Sequence, residues 1–174
     1  MDQAVKRRGV DTAHMVWGNN VAILTGDLLF ARASNIVSGL GEEALTLQAQ
    51  VFEQLVLGQL HETIGPRDGQ DPLEHYLEVL RDKTGSLIAL SARLGAMLSG
   101  ADAKYQEPLQ LFGERVGVAF QLVDDLIDIE STKEQSGKVS GTDLLAGVPT
   151  LPVLLLKNFT DADSQTLLHD ITSG

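Results

Sequence analysis

The sequence predicts an all-α protein, and two observations support that fold class. Apolar residues recur at intervals of three and four along most of the 174 residues, which is the spacing of one helical face. Strand signals are scarce, because there is no sustained alternation of apolar and polar residues and no Asn-Gly hairpin turn. We therefore expect long antiparallel helices packed around one core, in a single domain over residues 1–174.

Capping residues and helix breakers predict where the helices begin and end. Asp11 or Thr12 is suited to cap the first long helix, and Asp71 followed by Pro72 is a strong start signal for the third. Gly85 is expected to soften that third helix near its middle. The expected helices cover residues 11–38, 42–64, 72–100 and 104–129, followed by two short helices near the end of the sequence, the second capped by Asp161 or Asp163.

Composition excludes several classes of function. The net charge of −11 argues against a sequence-independent grip on nucleic acid or on an anionic membrane surface. The absence of cysteine excludes disulfides, thiolate catalysis and zinc–thiolate sites. No run approaches the roughly 20 apolar residues of a membrane span, and the N-terminus lacks the apolar core of a signal peptide. We expect a cytoplasmic protein with no stable membrane insertion.

The segment AFQLVDDLIDIE, residues 119–130, places three aspartates inside an apolar stretch. At about 100° per residue, these carboxylates and Gln121 share one arc of about 100°, whereas the apolar residues occupy the remainder of the helix. Gly113 and Gly117 project onto the same face, so they are expected to leave room for a ligand. The three carboxylates are those of Asp124, Asp125 and Asp128.

Clustered carboxylates repel one another unless a cation neutralises them, and magnesium is the natural candidate. It is commonly held by one or two carboxylates together with substrate phosphates and waters. The alternative is an amphipathic helix whose acidic face is simply solvated. The short Asp and Gln side chains, without Lys–Glu pairs at i,i+4 spacing, favour a ligand site over that alternative.

Three short basic motifs could meet a phosphate. KRRG at residues 6–9 offers Arg7 and Arg8, whose guanidinium groups suit pairs of phosphate oxygens. DKTG at residues 82–85 offers Lys83 beside the hydroxyl of Thr84, and SGKVSGTD offers Lys138 in a polar loop of about 18 residues. Each motif has an alternative interpretation as ordinary solvated surface charge.

Taken in order, these motifs resemble those of the trans-isoprenyl (polyprenyl) diphosphate synthases of bacterial type. FQLVDDLID at residues 120–128 is similar to the family's second aspartate-rich motif. The other matches are the Lys-Thr pair at Lys83 and Thr84, the Gly-Gln element at Gly58 and Gln59, and the Arg-Arg-Gly element at Arg7, Arg8 and Gly9. The resemblance implies an antiparallel all-α bundle of the isoprenoid synthase type, working as a homodimer or as part of a heteromer.

The resemblance also implies an activity. A trans-prenyltransferase of this family ionises an allylic diphosphate, and the double bond of isopentenyl diphosphate attacks the resulting carbocation, with magnesium as cofactor. By the match, the diphosphates are bound by Arg7, Arg8, Lys83 and Lys138, and the carbocation is stabilised by Thr84 and Gln121. Magnesium is held by Asp2, Asp124, Asp125, Asp128 and Asp143, with Asp125 either a ligand or a support behind the ligands. The implied catalytic residues are Lys83, Thr84, Gln121, Asp124 and Lys138, and Glu62 occupies a place where the family often has an acid near the metals.

The sequence departs from the family pattern near its N-terminal end. The first aspartate-rich motif should directly precede the arginines, yet only Asp2 stands there, so the chain is expected to lack the N-terminal helices of the fold. The alternatives are a catalytically incomplete fragment, a partner subunit of a heteromeric synthase and a terpene-cyclase-like enzyme. Product length and the preferred allylic substrate are not encoded in the motifs present.

Overall fold

The computed structural model describes residues 5–7, 9–130 and 150–173, and within these ranges the chain is almost entirely helical. This confirms the predicted all-α fold class. The described elements are, in order, β1 (Lys6–Arg7), β2 (Val10–Asp11), α1 (Ala13–Trp17), α2 (Asn19–Ser38), α3 (Glu42–Ile64), α4 (Pro72–Leu80), a π-helical turn (Arg81–Gly85), α5 (Ser86–Leu98), a 3-10 turn (Ala103–Tyr105), α6 (Gln106–Glu130), α7 (Leu151–Leu156) and α8 (Ala162–Ser173).

Helix boundaries follow the predicted signals in most places. The side chain of Asp71 caps α4 by accepting a hydrogen bond from the backbone N–H of Leu73 at 2.9 Å. The side chain of Asp161 accepts from the backbone N–H of Ser164 at 2.9 Å, and the same bond lowers the pKa of Asp161. Thr12 precedes α1 as predicted, but its side chain makes no capping hydrogen bond and its hydroxyl donates to the carbonyl oxygen of Val5 instead, at 3.2 Å.

The prediction of one unbroken first helix is wrong. Gly18 adopts a φ of +82°, a conformation that ends α1 before α2 begins. Before α1, β1 and β2 form a two-residue antiparallel ladder in which Lys6 pairs with Asp11. Strands this short leave no alternating pattern in a sequence, so the pair was not predicted.

The chain separates into two compact units, residues 1–49 and residues 50–174. In the first unit, Gln48 of α3 donates a hydrogen bond to Ser34 of α2 at 2.9 Å. Helix α2 has 20 residues with a mean hydropathy of 1.3, and no residue of its apolar window is buried. By length and composition alone α2 could cross a membrane, contrary to the expectation that no segment would qualify. Core helices of soluble proteins pass the same test.

The second unit has a small hydrophobic core. Tyr76 and Leu80 of α4 pack with Leu154 of α7, and partly buried leucines surround them. Helices α4, α6 and α7, which are distant in sequence, thus all contribute to this core. The surrounding leucines are Leu73, Leu77, Leu122 and Leu151.

Helix α6 packs closely against the segment formed by the π-helical turn and α5, and glycines make this possible. A Cβ atom on Gly117 would lie 2.7 Å from the Cα of Gly85, and one on Gly113 would lie 2.8 Å from the carbonyl oxygen of Ile88. The space beside Gly113 and Gly117 is occupied by the backbone of the neighbouring segment. The expectation that these glycines leave room for a ligand is therefore wrong. Gly58 likewise allows α3 to approach the π-helical turn closely, because a Cβ atom on Gly58 would lie 2.6 Å from the Cβ of Asp82.

The Gly117→Ala substitution should lower the free energy of unfolding by about 1–3 kcal/mol, because the added methyl group meets backbone atoms that cannot move aside cheaply. The matched control is Gly95→Ala in α5, where nothing lies within 4 Å of the new methyl group. Alanine there should stabilise the helix by about 0.5–1 kcal/mol. Urea unfolding followed by circular dichroism measures both, and equal effects of the two substitutions would contradict the proposed packing.

Candidate functional site

Three segments of the second unit bring polar side chains together. Helix α3 contributes Gln59 and Glu62, and the π-helical turn contributes Lys83 and Thr84, which the sequence had singled out as a pair. Helix α6 contributes Gln121 and the aspartates that follow it. The predicted Lys-Thr pair and the predicted aspartate-rich helix are therefore neighbours in space.

The π-helical turn directs two consecutive side chains towards two different helices. Lys83 Nζ lies 2.6 Å from Glu62 Oε2 on α3, whereas Thr84 Oγ1 donates a hydrogen bond to Gln121 Oε1 on α6 at 3.2 Å. Wide turns of this kind occur as short interruptions of α-helices and are frequent at functional sites. The turn includes Gly85, where the sequence predicted that the helix would soften.

Lys83 presents a positive charge that is only partly neutralised. Its side chain is 31% exposed, that of Glu62 is 33% exposed, and Glu62 Oε2 also accepts a hydrogen bond from Gln59 at 2.6 Å. An ammonium group carries three donors, so the pair with Glu62 does not exhaust its capacity to bind an anion. The ion pair with Glu62 thus holds the Lys83 ammonium group in position when no anion is bound.

Asp125 differs from the other two aspartates of the helix. It is only 6% exposed, and its two carboxylate oxygens accept hydrogen bonds from the hydroxyl of Tyr76 and from Nε2 of Gln121, the latter at 3.0 Å. Buried charged groups need such partners. Of the two roles considered for Asp125, the geometry favours support behind the ligands over direct metal coordination.

Asp124 and Asp128 lie one helical turn apart on α6. Asp124 is exposed, and no hydrogen bond or ion pair with another described residue holds its carboxylate, whereas Asp128 is partly buried. Within residues 5–7, 9–130 and 150–173, no group of three or more His, Asp or Glu side chains is arranged to hold a metal ion. Two carboxylates are nevertheless sufficient for magnesium when phosphate oxygens and waters supply the other ligands.

The remaining predicted site residues cannot be placed with the others. Arg7 belongs to β1 in the first unit, and the description of the structure does not extend to its side chain. The other four, Asp2, Arg8, Lys138 and Asp143, lie outside the described residues. Their roles stay predictions.

Sequence reasoning missed one side chain of this site. Tyr76 belongs to the apolar face of α4 and reads as an ordinary core residue, yet its hydroxyl reaches Asp125, 49 positions later in the chain. The only signal was a phenol in an otherwise aliphatic stripe, because a buried tyrosine hydroxyl usually needs a partner.

Comparison with known proteins places this geometry in a family. The chain is 52% identical over 154 residues to the nonaprenyl diphosphate synthase of Mycobacterium tuberculosis, covering 88% of this chain and 46% of that protein. It is 39% identical over 160 residues to heptaprenyl diphosphate synthase component 2 of Bacillus subtilis, covering 91% and 46%. The chain thus spans about half the length of the curated relatives it matches.

Solved structures agree with the sequence relatives. A polyprenyl synthetase from Streptomyces coelicolor superposes with a TM-score of 0.83 at 34% identity, covering 97% of this chain and 51% of that one. A geranylgeranyl pyrophosphate synthase from Corynebacterium glutamicum, complexed with calcium and isoprenyl diphosphate, gives 0.75 at 40% identity, covering 93% and 55%. The sequence model of the polyprenyl synthetase family matches residues 1–173. The chain belongs to the polyprenyl synthetase family.

Proposed function

We propose that this chain acts in the condensation of an allylic diphosphate with isopentenyl diphosphate to give a longer trans-polyprenyl diphosphate. The observation that carries the proposal is the hydrogen bond between Thr84 and Gln121, 3.2 Å long, which joins the lysine-bearing turn to the aspartate-bearing helix. Lys83 precedes Thr84 in that turn, and Asp124 and Asp128 follow Gln121 on α6, so the bond joins the segment that carries the ammonium group to the helix that carries the carboxylates. Membership of the polyprenyl synthetase family supports the same reaction.

The reaction needs a cation to stabilise the leaving diphosphate and oxygen dipoles to stabilise the carbocation, and Lys83, Thr84 and Gln121 can supply both. The allylic C–O bond breaks and its electron pair leaves with the diphosphate, whose growing negative charge is stabilised by Lys83. The double bond of isopentenyl diphosphate attacks the allylic carbocation, so that a C–C bond forms and the positive charge moves to the tertiary carbon of the former double bond. The CH₂ group next to that carbon then gives up a proton to a base, and the C–H electron pair forms the new double bond. Thr84 and Gln121 carry oxygen lone pairs that can stabilise the cation through their dipoles.

The donor set fits magnesium. Asp124 is exposed and Asp128 follows it after one turn, so both can contribute hard oxygen ligands from one side, with Asp125 held behind them by its own hydrogen bonds. When bound, the metal would neutralise charge on the diphosphate oxygens. The calcium and isoprenyl diphosphate found together in the Corynebacterium glutamicum enzyme support a divalent cation in this role. Asp2 and Asp143 are proposed as further ligands on the strength of the sequence motifs alone.

Substrate binding is assigned to cations from several parts of the chain. Lys83 and Lys138 are proposed to hold the allylic diphosphate, and Arg7 and Arg8 to bind diphosphate oxygens, one on each substrate. Of these, Lys83 is the one whose side chain the structure describes, and its exposure and its acidic partner both suit exchange with a substrate anion. The net charge of −11 makes such local cations necessary.

Replacing Asp124 with asparagine tests the metal assignment. Condensation of an allylic diphosphate with labelled isopentenyl diphosphate in magnesium should fall by about 10²-fold or more, because a neutral amide binds and neutralises the metal poorly. Chelation with EDTA should stop the reaction of the unmodified chain, and added magnesium should restore it. Asp68, which is also exposed and lies in the α3–α4 connection, provides the matched control, and Asp68→Asn should keep the full rate. Full activity of the Asp124 variant would contradict the assignment.

Replacing Lys83 with glutamine tests the diphosphate assignment. We expect kcat/KM for the allylic diphosphate to fall by about 10- to 100-fold, because a hydrogen bond to a charged group is lost as charge develops. The control is Lys104→Gln, which removes another ion-paired lysine, bonded to Asp102 at 3.1 Å. Initial rates at varied allylic substrate distinguish the two variants, and similar losses in both would argue against a specific role for Lys83.

A second candidate function is that of a subunit in a heteromeric synthase. The favouring observation is the 39% identity to a Bacillus subtilis protein named as component 2 of a heptaprenyl diphosphate synthase. The two candidates differ in assembly, since a self-sufficient homodimer condenses substrates alone and a component does so only with its partner. Light scattering after size exclusion gives the mass of the purified chain, and the condensation assay on the homodimer fraction decides between them.

A further inference from the structure

The phenol of Tyr76 joins the hydrophobic core of the second unit to the polar residues of the candidate site. The tyrosine is 9% exposed and packs with Leu80 and Leu154, while its hydroxyl donates a hydrogen bond to Oδ2 of Asp125. Asp125 is itself only 6% exposed. A buried hydrogen bond to a charged acceptor is stronger than one between neutral groups, so it can hold the carboxylate in one orientation.

The second oxygen of the same carboxylate determines how the amide of Gln121 is oriented. An ionised carboxylate can only accept hydrogen bonds, so the amide must present its NH₂ group to Asp125, at 3.0 Å. Its carbonyl oxygen then faces the opposite direction, where Thr84 donates to it at 3.2 Å. If the amide were rotated by 180°, its oxygen would meet a carboxylate oxygen and the hydroxyl of Thr84 would meet an NH₂ group.

We propose that Tyr76 is a positioning residue that acts through Asp125 on Gln121, so that the Gln121 carbonyl oxygen faces Thr84. Thr84 and Gln121 are the groups assigned above to the carbocation, and the consequence for the reaction rests on that proposed function. An amide held with its oxygen in place offers the negative end of its dipole to a cation, whereas a rotating amide offers it for only part of the time.

The alternative role for Tyr76 is packing alone, and the Tyr76→Phe substitution separates the two. Phenylalanine keeps the ring against Leu80 and Leu154 but removes the hydroxyl that holds Asp125. Tyr105 provides the matched control, because it is the only other tyrosine in the sequence and is 50% exposed.

The first experiment needs no turnover. The 18.7 kDa chain is suited to nitrogen-15 NMR, and the side-chain amide signals of Gln121 are assigned by their loss in the isosteric Gln121→Glu variant. Tyr76→Phe should shift these signals and speed their hydrogen exchange about fivefold or more, whereas Tyr105→Phe should leave them unchanged. Asp125→Asn removes the charged acceptor itself and should also shift the Gln121 signals. This variant replaces Tyr76→Phe in the experiment if the phenylalanine variant folds poorly. Unchanged Gln121 signals in the folded variants would overturn the proposal.

The second experiment measures the reaction. Tyr76→Phe should lower kcat about tenfold while KM for isopentenyl diphosphate and the magnesium dependence stay within about twofold of the unmodified chain, because only the orientation of one amide has changed. A normal kcat together with shifted Gln121 signals would overturn the positioning role. Absence of condensation by the unmodified chain would instead contradict the proposed function. The NMR experiment would still show whether Tyr76 acts through Asp125 on Gln121, because it needs no turnover.

Discussion

The backbone contact between Gly117 of α6 and Gly85 of the π-helical turn is the constraint on which the candidate site depends. With a Cβ on Gly117 only 2.7 Å from the neighbouring Cα, any larger residue would push the two segments apart. Thr84 has a short side chain and reaches Gln121 only because the helices approach so closely, with 3.2 Å between the two oxygens. The small residues of this interface therefore matter for the position of polar groups as well as for packing.

The π-helical turn adds a second constraint to this contact. Because neighbouring residues of a helical turn point in different directions, Lys83 meets Glu62 of α3 while Thr84 meets Gln121 of α6. One turn thus links two helices of the second unit that are far apart in the sequence. A charged group and a neutral dipole are held side by side without sharing the same partner, which suits the proposed reaction, in which an anion departs and a cation remains.

Much of the fold could be predicted from local signals. The Asp71 cap of α4 and the Asp161 cap before α8 follow from side chains that accept hydrogen bonds from nearby backbone N–H groups. The bounds of α3 follow from the flanking glycines, since Gly41 and Gly65 both adopt a positive φ. The break at Gly18 was missed because a glycine inside a helical pattern is tolerated more often than not, and only its positive φ ends the helix. Short strands such as β1 and β2 leave too few residues for a pattern.

By itself the sequence determined which residue types share the face of α6 and that a Lys-Thr pair accompanies them, since helical periodicity and motif order are local properties. Tertiary structure alone decided what those faces meet. A helical projection cannot distinguish a glycine strip that admits a ligand from one that admits a neighbouring backbone, and Gly117 belongs to the second kind. Nor can it show that Asp124, Asp125 and Asp128 have different surroundings. Asp125 is turned into the core by Tyr76, a residue 49 positions away, because long-range contacts depend on how distant helices pack and not on the periodicity of either one.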